Sequence, residues 1–135
     1  MTPLRQSARI GSWIAQLIAA GILGMASFFK LTSAPESIAL FGRLAVEPWG
    51  RYAVGIYEAV TVLLLLLPRT AALGGLMAAG LMVGAIGTHV LRLGIAINGD
   101  PSLFIMAMTT LAAALVIIGI RRAELPFRRL PAGPA

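Results

Sequence analysis

Cysteine is absent from the 135 residues, which excludes disulfides, thiol catalysis, iron–sulfur clusters and thiolate metal sites within this chain. Histidine occurs once, at His89. One imidazole supports neither a self-contained histidine metal site nor bis-histidine haem ligation, and no nucleophile–base–acid set of a soluble hydrolase assembles around it. Acids are scarce as well: five Asp and Glu stand against eleven Lys and Arg, a formal charge of +6. Positive charge suits nucleic acid when it forms a stripe or patch. Here single arginines flank apolar runs, the pattern of residues that orient membrane spans, so no nucleic-acid partner is expected.

Apolar length is what the chain has in abundance. Apolar residues make up 59% and charged residues 12%, and the mean hydropathy is +0.90, values foreign to a soluble domain. Ile10–Phe29, Thr70–Thr88 and Pro101–Ile120 carry no formal charge, and Tyr52–Leu67 is interrupted only by Glu58. A helix needs about 20 residues to cross a hydrocarbon core of about 30 Å, so four spans fit. None shows the strict alternation of barrel strands. The expected fold is an all-α integral membrane protein: an antiparallel four-transmembrane-helix bundle with a short amphipathic helix in the first outer loop, its environment a lipid bilayer.

The spans are expected at residues 11–30, 50–67, 71–91 and 102–120, within one membrane domain over 1–122 that is followed by a basic, Pro-rich tail over 123–135. Arg5 and Arg9 before the first run resemble a signal peptide, but the run is too long and continues past Ala26, so it is read as a retained span. Ser33-Ala-Pro-Glu36 reads as a capping box opening the loop helix. On that helix Ile38, Phe41 and Ala45 share one face and Glu36, Arg43 and Glu47 the other, as in a helix lying on the membrane surface. Trp49 suits an interfacial anchor. Pro68-Arg69 forces a tight antiparallel return. Gly80, Gly84 and Gly87 share a face of the third span, which is expected to be the buried, close-packed helix. Seven arginines belong to the N-terminal segment, the Arg69 turn and the C-terminal tail, against Lys30, Arg43, Arg51 and Arg92 on the other side. Both termini are therefore expected in the cytoplasm.

Glu58 is the residue that asks for chemistry. A carboxylate in mid-span costs several kcal/mol, about 3 on insertion scales for Asp and basic residues, and marks a functional hypothesis by default. In the expected topology Lys30, Arg51, His89 and Arg92 all end or begin spans on the side toward which Glu58 lies, with Arg51 seven residues above it on the same helical face. These five are the ligand or ion-pair candidates; Gln16, Tyr57, Thr61 and Thr88 are secondary pocket candidates. The plainer alternatives are that Lys30, Arg51 and Arg92 meet water or lipid phosphate, that His89 is a hydrogen-bonded helix end, and that Glu58 is a structural ion pair. Gln16, Thr61, Thr109 and Thr110 are expected to hydrogen bond between helices, and the catalytic residues, if any, are unknown.

Phe29-Lys30-Leu31 closing span one, Tyr57-Glu58 with Leu63–Leu67 in span two, Arg69-Thr-Ala-Ala-Leu73 opening span three and Met82-x-x-Ala85-x-x-x-His89 closing it form an ordered series. Over roughly Ile10 to Arg122 that series resembles the DoxX / DoxX-like family of small four-span bacterial membrane proteins. Phe28-Phe29 depart from it, standing where the family often has a small residue. The resemblance implies a four-helix bundle in the bacterial cytoplasmic (inner) membrane, with Lys30, Glu58 and His89 at recurrent polar positions. It further implies relatives that include a subunit of a thiosulfate:quinone oxidoreductase, companions of redox or detoxification complexes, and assembly factors. Three functions stay open. One is a non-catalytic accessory or scaffold subunit, docking a second copy or a membrane or peripheral partner. Another is a redox subunit binding a quinone or other lipophilic molecule at Glu58 and His89, with electrons supplied by a partner because no cofactor is intrinsic. The third is a small transporter or proton-conducting protein.

Overall fold

The computed structural model describes residues 4–125. They form five α-helices: α1 (Gln6–Leu31), α2 (Pro35–Arg43), α3 (Trp49–Leu66), α4 (Ala71–Thr88) and α5 (Ser102–Arg121). α4 runs on into a π-helical turn, His89–Leu93, and α5 into a 3-10 turn, Arg122–Glu124. Helices α1, α3, α4 with its π turn, and α5 with its 3-10 turn are long and apolar enough to span a bilayer. α1 starts at Gln6, earlier than its apolar run. Of the expected tail, residues 126–135 lie outside the described residues, while Leu125 is buried against the bundle.

The spans pack in a ring, α1 beside α3, α3 beside α4, α4 beside α5 and α5 beside α1, each neighbour antiparallel. One end of the bundle carries α2, the π turn and the α4–α5 connection; it is called the α2 end. The other, the terminal end, carries the start of α1, the α3–α4 turn and the end of α5.

Side-chain size is distributed inside out relative to a soluble bundle. The core is dominated by small residues, Ala15, Ala19, Ala20, Ala71, Ala78, Ala107, Ala113 and Ala114, with Leu23, Leu65, Met82 and Ile117 filling the rest. Large aliphatics such as Ile14, Leu17, Leu63, Val83 and Leu115 face outward. Lipid tails are as apolar as leucine, so burying leucine gains little; close backbone approach over small residues gains van der Waals contact. Gly74 and Gly75 show this directly. A Cβ on Gly74 would lie 2.9 Å from the Leu65 amide nitrogen, and one on Gly75 would lie 3.1 Å from Ile117 Cγ2.

The expectation for the rest of α4 is corrected. Gly80 and Gly84 are exposed, Gly87 is half-buried, and a Cβ on any of them meets nothing within 4 Å. The tight packing of α4 lies at its first turns, and the Gly80–Gly84–Gly87 face is open.

The connections follow local chemistry. The Ser33–Glu36 capping box does not form: α2 opens on Pro35 without a side-chain cap, and Ser33 has φ +60°. Proline suits the first helical position because its missing N–H would go unpaired there anyway. Phe41 is the buried residue of α2, and Ile38 is only partly covered. Asn98-Gly99 turns the α4–α5 connection, with φ +51° and +80° and paired hydrogen bonds between Ile97 and Asp100. Positive φ at both central residues is what a type I′ turn requires and Asn-Gly best supplies. Asp100 Oδ1 then accepts the backbone N–H of Ser102 at 2.9 Å and its hydroxyl, which holds the Asp100 carboxyl below the usual carboxylate range.

Candidate functional site

Two buried polar clusters occupy the two ends of the bundle. At the α2 end, Ser27 and Lys30 lie one turn apart near the end of α1, and Gly55 and Glu58 lie one turn apart on α3. Gly55 sets their spacing: a Cβ there would meet Leu31 Cδ2 at 2.9 Å and the Lys30 Cβ at 3.2 Å. With no side chain at Gly55, α1 and α3 come close enough for Ser27 to donate to the Gly55 carbonyl at 2.8 Å. Lys30 Nζ then reaches Glu58 Oε1 at 2.8 Å. Glu58 is 2% exposed. Its second oxygen, Oε2, is a buried polar side-chain atom that no donor among the described residues meets.

Arg51 does not touch Glu58. Its Nε donates to both Glu47 oxygens at 2.9 Å, and its Nη2 lies 2.9 Å from Glu47 Oε1. Nη1 donates to the Lys30 carbonyl and, at 3.0 Å, to Ser33 Oγ. The guanidinium carbon stands 4.4 Å from the centre of the Tyr52 ring, and Tyr52 Oη lies 3.4 Å from Ser33 Oγ. Arg51 therefore binds the end of α1 to the start of α3, one layer above the Lys30–Glu58 pair. This fork-and-plane geometry is one that lysine cannot reproduce.

His89 faces elsewhere. Its Nδ1 is 3.0 Å from the Gly94 carbonyl; a carbonyl only accepts, so Nδ1 carries the hydrogen. The ring packs edge to face on Phe104 of α5, with centroids 5.8 Å apart. His89 thus closes the π turn and ties it to α5, and no hydrogen bond joins it to Glu58 among the described residues. Arg92, on the same turn, is exposed. Of the five sequence candidates, the structure brings Lys30 to Glu58, places Arg51 against the Lys30 backbone, and leaves His89 and Arg92 out of the set.

The secondary candidates divide likewise. Tyr57 donates to the Met77 carbonyl of α4 at 2.8 Å. Thr61, Thr88, Thr109 and Thr110 each donate to the carbonyl four residues back in their own helix, so the expectation that Thr61, Thr109 and Thr110 link helices is corrected. A threonine hydroxyl in a helix finds its i−4 carbonyl within reach without leaving the backbone. Gln16 does cross between helices, but at the terminal end.

There the second cluster gathers around Arg121, read from the sequence as a flanking arginine. It is 4% exposed. Its Nε donates to Ser12 Oγ at 2.7 Å and to Gln16 Oε1 at 3.1 Å. Its Nη1 reaches the Pro68 carbonyl at 3.4 Å and Glu124 Oε2 at 3.2 Å. Ser12 passes its own hydrogen to Gln16 at 2.6 Å, and the Gln16 amide donates to the Leu65 carbonyl at 2.7 Å. One guanidinium thereby links α1, the α3–α4 turn and the end of α5. Ser12 and Gln16, four apart on one helical face of an otherwise apolar span, were the signal for it. Glu47 and Arg51, also four apart, were the corresponding signal at the α2 end.

The arrangement is chemically conservative. It pairs charges and satisfies backbone acceptors, and no group of three or more His, Asp and Glu among the described residues converges to hold a metal. Neither the curated proteins nor the solved structures yield a match to the chain. The sequence model of the DoxX-like family matches residues 14–119, a stretch that takes in α2, α3 and α4, most of α1 and α5, and the residues of both polar clusters except Ser12, Arg121 and Glu124. This multi-pass membrane chain belongs to the DoxX-like family.

Proposed function

We propose that the chain is a non-catalytic accessory or scaffold subunit of a complex in the bacterial cytoplasmic membrane, with both termini cytoplasmic. Its docking surface is the open face of α4, which takes a partner helix or a second copy. The observation that carries this reading is that Gly80, Gly84 and Gly87 have nothing within 4 Å of an added Cβ. Glycine weakens a helix wherever it is not needed for conformation or close approach. Small residues one turn apart are how membrane helices approach one another. The buried charges, by contrast, are engaged in holding α1, α3 and α5 together. The natural absence of cysteine makes single-cysteine variants clean reporters. In native membranes, oxidative or bifunctional crosslinking of Gly84→Cys is expected to trap one defined adduct, while Leu115→Cys on α5 traps none. Monomer alone at Gly84→Cys, or equal adducts at both positions, overturns the docking face.

One observation favours a second reading, a redox-linked subunit that binds a quinone or a similar lipophilic molecule. Glu58 Oε2 is a buried acceptor with no donor among the described residues, which suits a quinol hydroxyl. A quinone would supply two-electron, two-proton chemistry, its electrons coming from a partner. The residues fit it only in part, because His89 is held by Gly94 and Phe104. If Glu58→Gln leaves quinone-linked turnover of the native complex unchanged, this second reading falls.

A further inference from the structure

At the terminal end the Arg121 cluster opens into a recess of about 350 Å³ lined by Leu4, Arg9, Trp13, Pro68, Arg121 and Glu124. That volume is at the small end of ligand-binding pockets. We infer that this recess is a binding site for the phosphate headgroup of a membrane lipid, held between Arg9 and Arg121, with its glycerol and acyl portion against Trp13, Leu4 and Pro68.

Four features of the recess carry this. First, Arg121 is fixed in place: its Nε and Nη1 are committed to Ser12, Gln16, Pro68 and Glu124, while no acceptor among the described residues meets Nη2. A guanidinium immobilised by protein acceptors loses little rotamer freedom on taking one more, and phosphate oxygens are the acceptors its planar fork suits best. Second, the charge is right. Arg9 and Arg121 against Glu124 leave the recess at +1, and the Glu124 carboxylate is turned onto Arg121 Nη1. Third, the depth is right. Arg121 is the last residue of α5, and Trp13 stands about 10 Å along α1 from its first residue, the level at which indole rings sit among headgroups. Fourth, half of the lining is apolar. Free phosphate gains nothing from Leu4, Trp13 and Pro68, whereas a lipid headgroup with its chain attached meets both kinds of wall. Basic recesses between spans at the bilayer surface are a recurrent mode of headgroup recognition.

The test uses the full chain in nanodiscs of phosphatidylcholine doped with phosphatidylglycerol, with lipid retained on the protein counted by native mass spectrometry. Arg9→Gln removes one exposed arginine of the recess without touching the buried Arg121 network. It is expected to lower phosphatidylglycerol retention about fivefold, the equivalent of the ~1 kcal/mol that one basic residue contributes at an anionic surface. Arg122→Gln deletes the same charge at the same end outside the recess, and retention is expected to stay near wild type. Millimolar inorganic phosphate is expected not to displace the lipid. Three results overturn the inference: retention unchanged by Arg9→Gln, equal losses for both variants (diffuse surface charge), or displacement by inorganic phosphate (a free-anion site).

Discussion

At the scale of single residues, the Lys30–Glu58 pair is asymmetric, and the asymmetry predicts what mutation does. Lys30 is 16% exposed in its side chain and Glu58 3%, so the lysine stem can swing its ammonium toward water and the glutamate cannot follow. Lys30→Met strands a carboxylate among apolar helices, and removing one partner of a buried pair costs about 3–5 kcal/mol. Glu58→Gln leaves a lysine that snorkels, and its cost is expected near 1 kcal/mol, on the order of one lost hydrogen bond. The double variant Lys30→Met/Glu58→Leu is expected to recover most of the Lys30→Met loss. Reversible unfolding of the four forms in one detergent checks this; equal losses for both single changes would show that the pair is not set in this way. From the sequence, Glu58 was legible as an acid needing a cation, and Lys30 was among the cations offered. Which cation answers depends on Gly55, whose role is a close approach between two helices and leaves no trace in either one alone. Arg121 was hidden for a related reason. An arginine just after an apolar run looks like any flank residue until Ser12 and Gln16, more than a hundred positions away, are placed beside it.

At the scale of elements, glycine has two opposite meanings on α4, and they are separable by experiment. Gly74 packs against the Leu64–Leu65 backbone, which cannot yield as a side chain can. Gly74→Ala is expected to cost about 1–3 kcal/mol, as overpacking does. Gly84→Ala meets nothing and is expected to leave the stability of the isolated chain unchanged or slightly raised. Thermal unfolding of the two variants in the same detergent makes the comparison, and a Gly84→Ala loss as large as that of Gly74→Ala would mean that the open face is packed within the monomer. The four spans and the Pro68 turn were legible because length, hydropathy and turn chemistry are local. The face of α4 that is buried was not. With apolar or small residues all around, its sequence has no polar side to point away from the core, so periodicity is silent there. The start of α2 was misread because serine followed three positions on by glutamate satisfies the capping pattern, while the actual positive φ at Ser33 and its bonds to Arg51 and Tyr52 are tertiary.

At the scale of the whole molecule, four antiparallel spans put the start of α1 and the end of α5 at one end, and the charges divide between the ends. Arg5, Arg9, Arg69, Arg121 and Arg122 lie at the terminal end, Lys30, Arg43, Arg51 and Arg92 at the α2 end, and Arg128 and Arg129 follow α5 in sequence. The difference between the ends is larger than that tally. Lys30 and Arg51 are committed to Glu58 and Glu47, whereas Arg5, Arg9, Arg69 and Arg122 are exposed. Orientation is decided by basic residues in short loops near the spans, so the terminal end is the one expected to stay in the cytoplasm. Because the chain has no cysteine, a membrane-impermeant maleimide reads this directly. Asn98→Cys, at the tip of the α2-end turn, is expected to label on intact spheroplasts, and Ser7→Cys, in the first turn of α1, only after the membrane is permeabilised. The reverse pattern would place the arginine-rich end outside, and with it the lipid recess in the outer leaflet; labelling of both sites on intact spheroplasts would contradict the odd number of spans, three, that separates them.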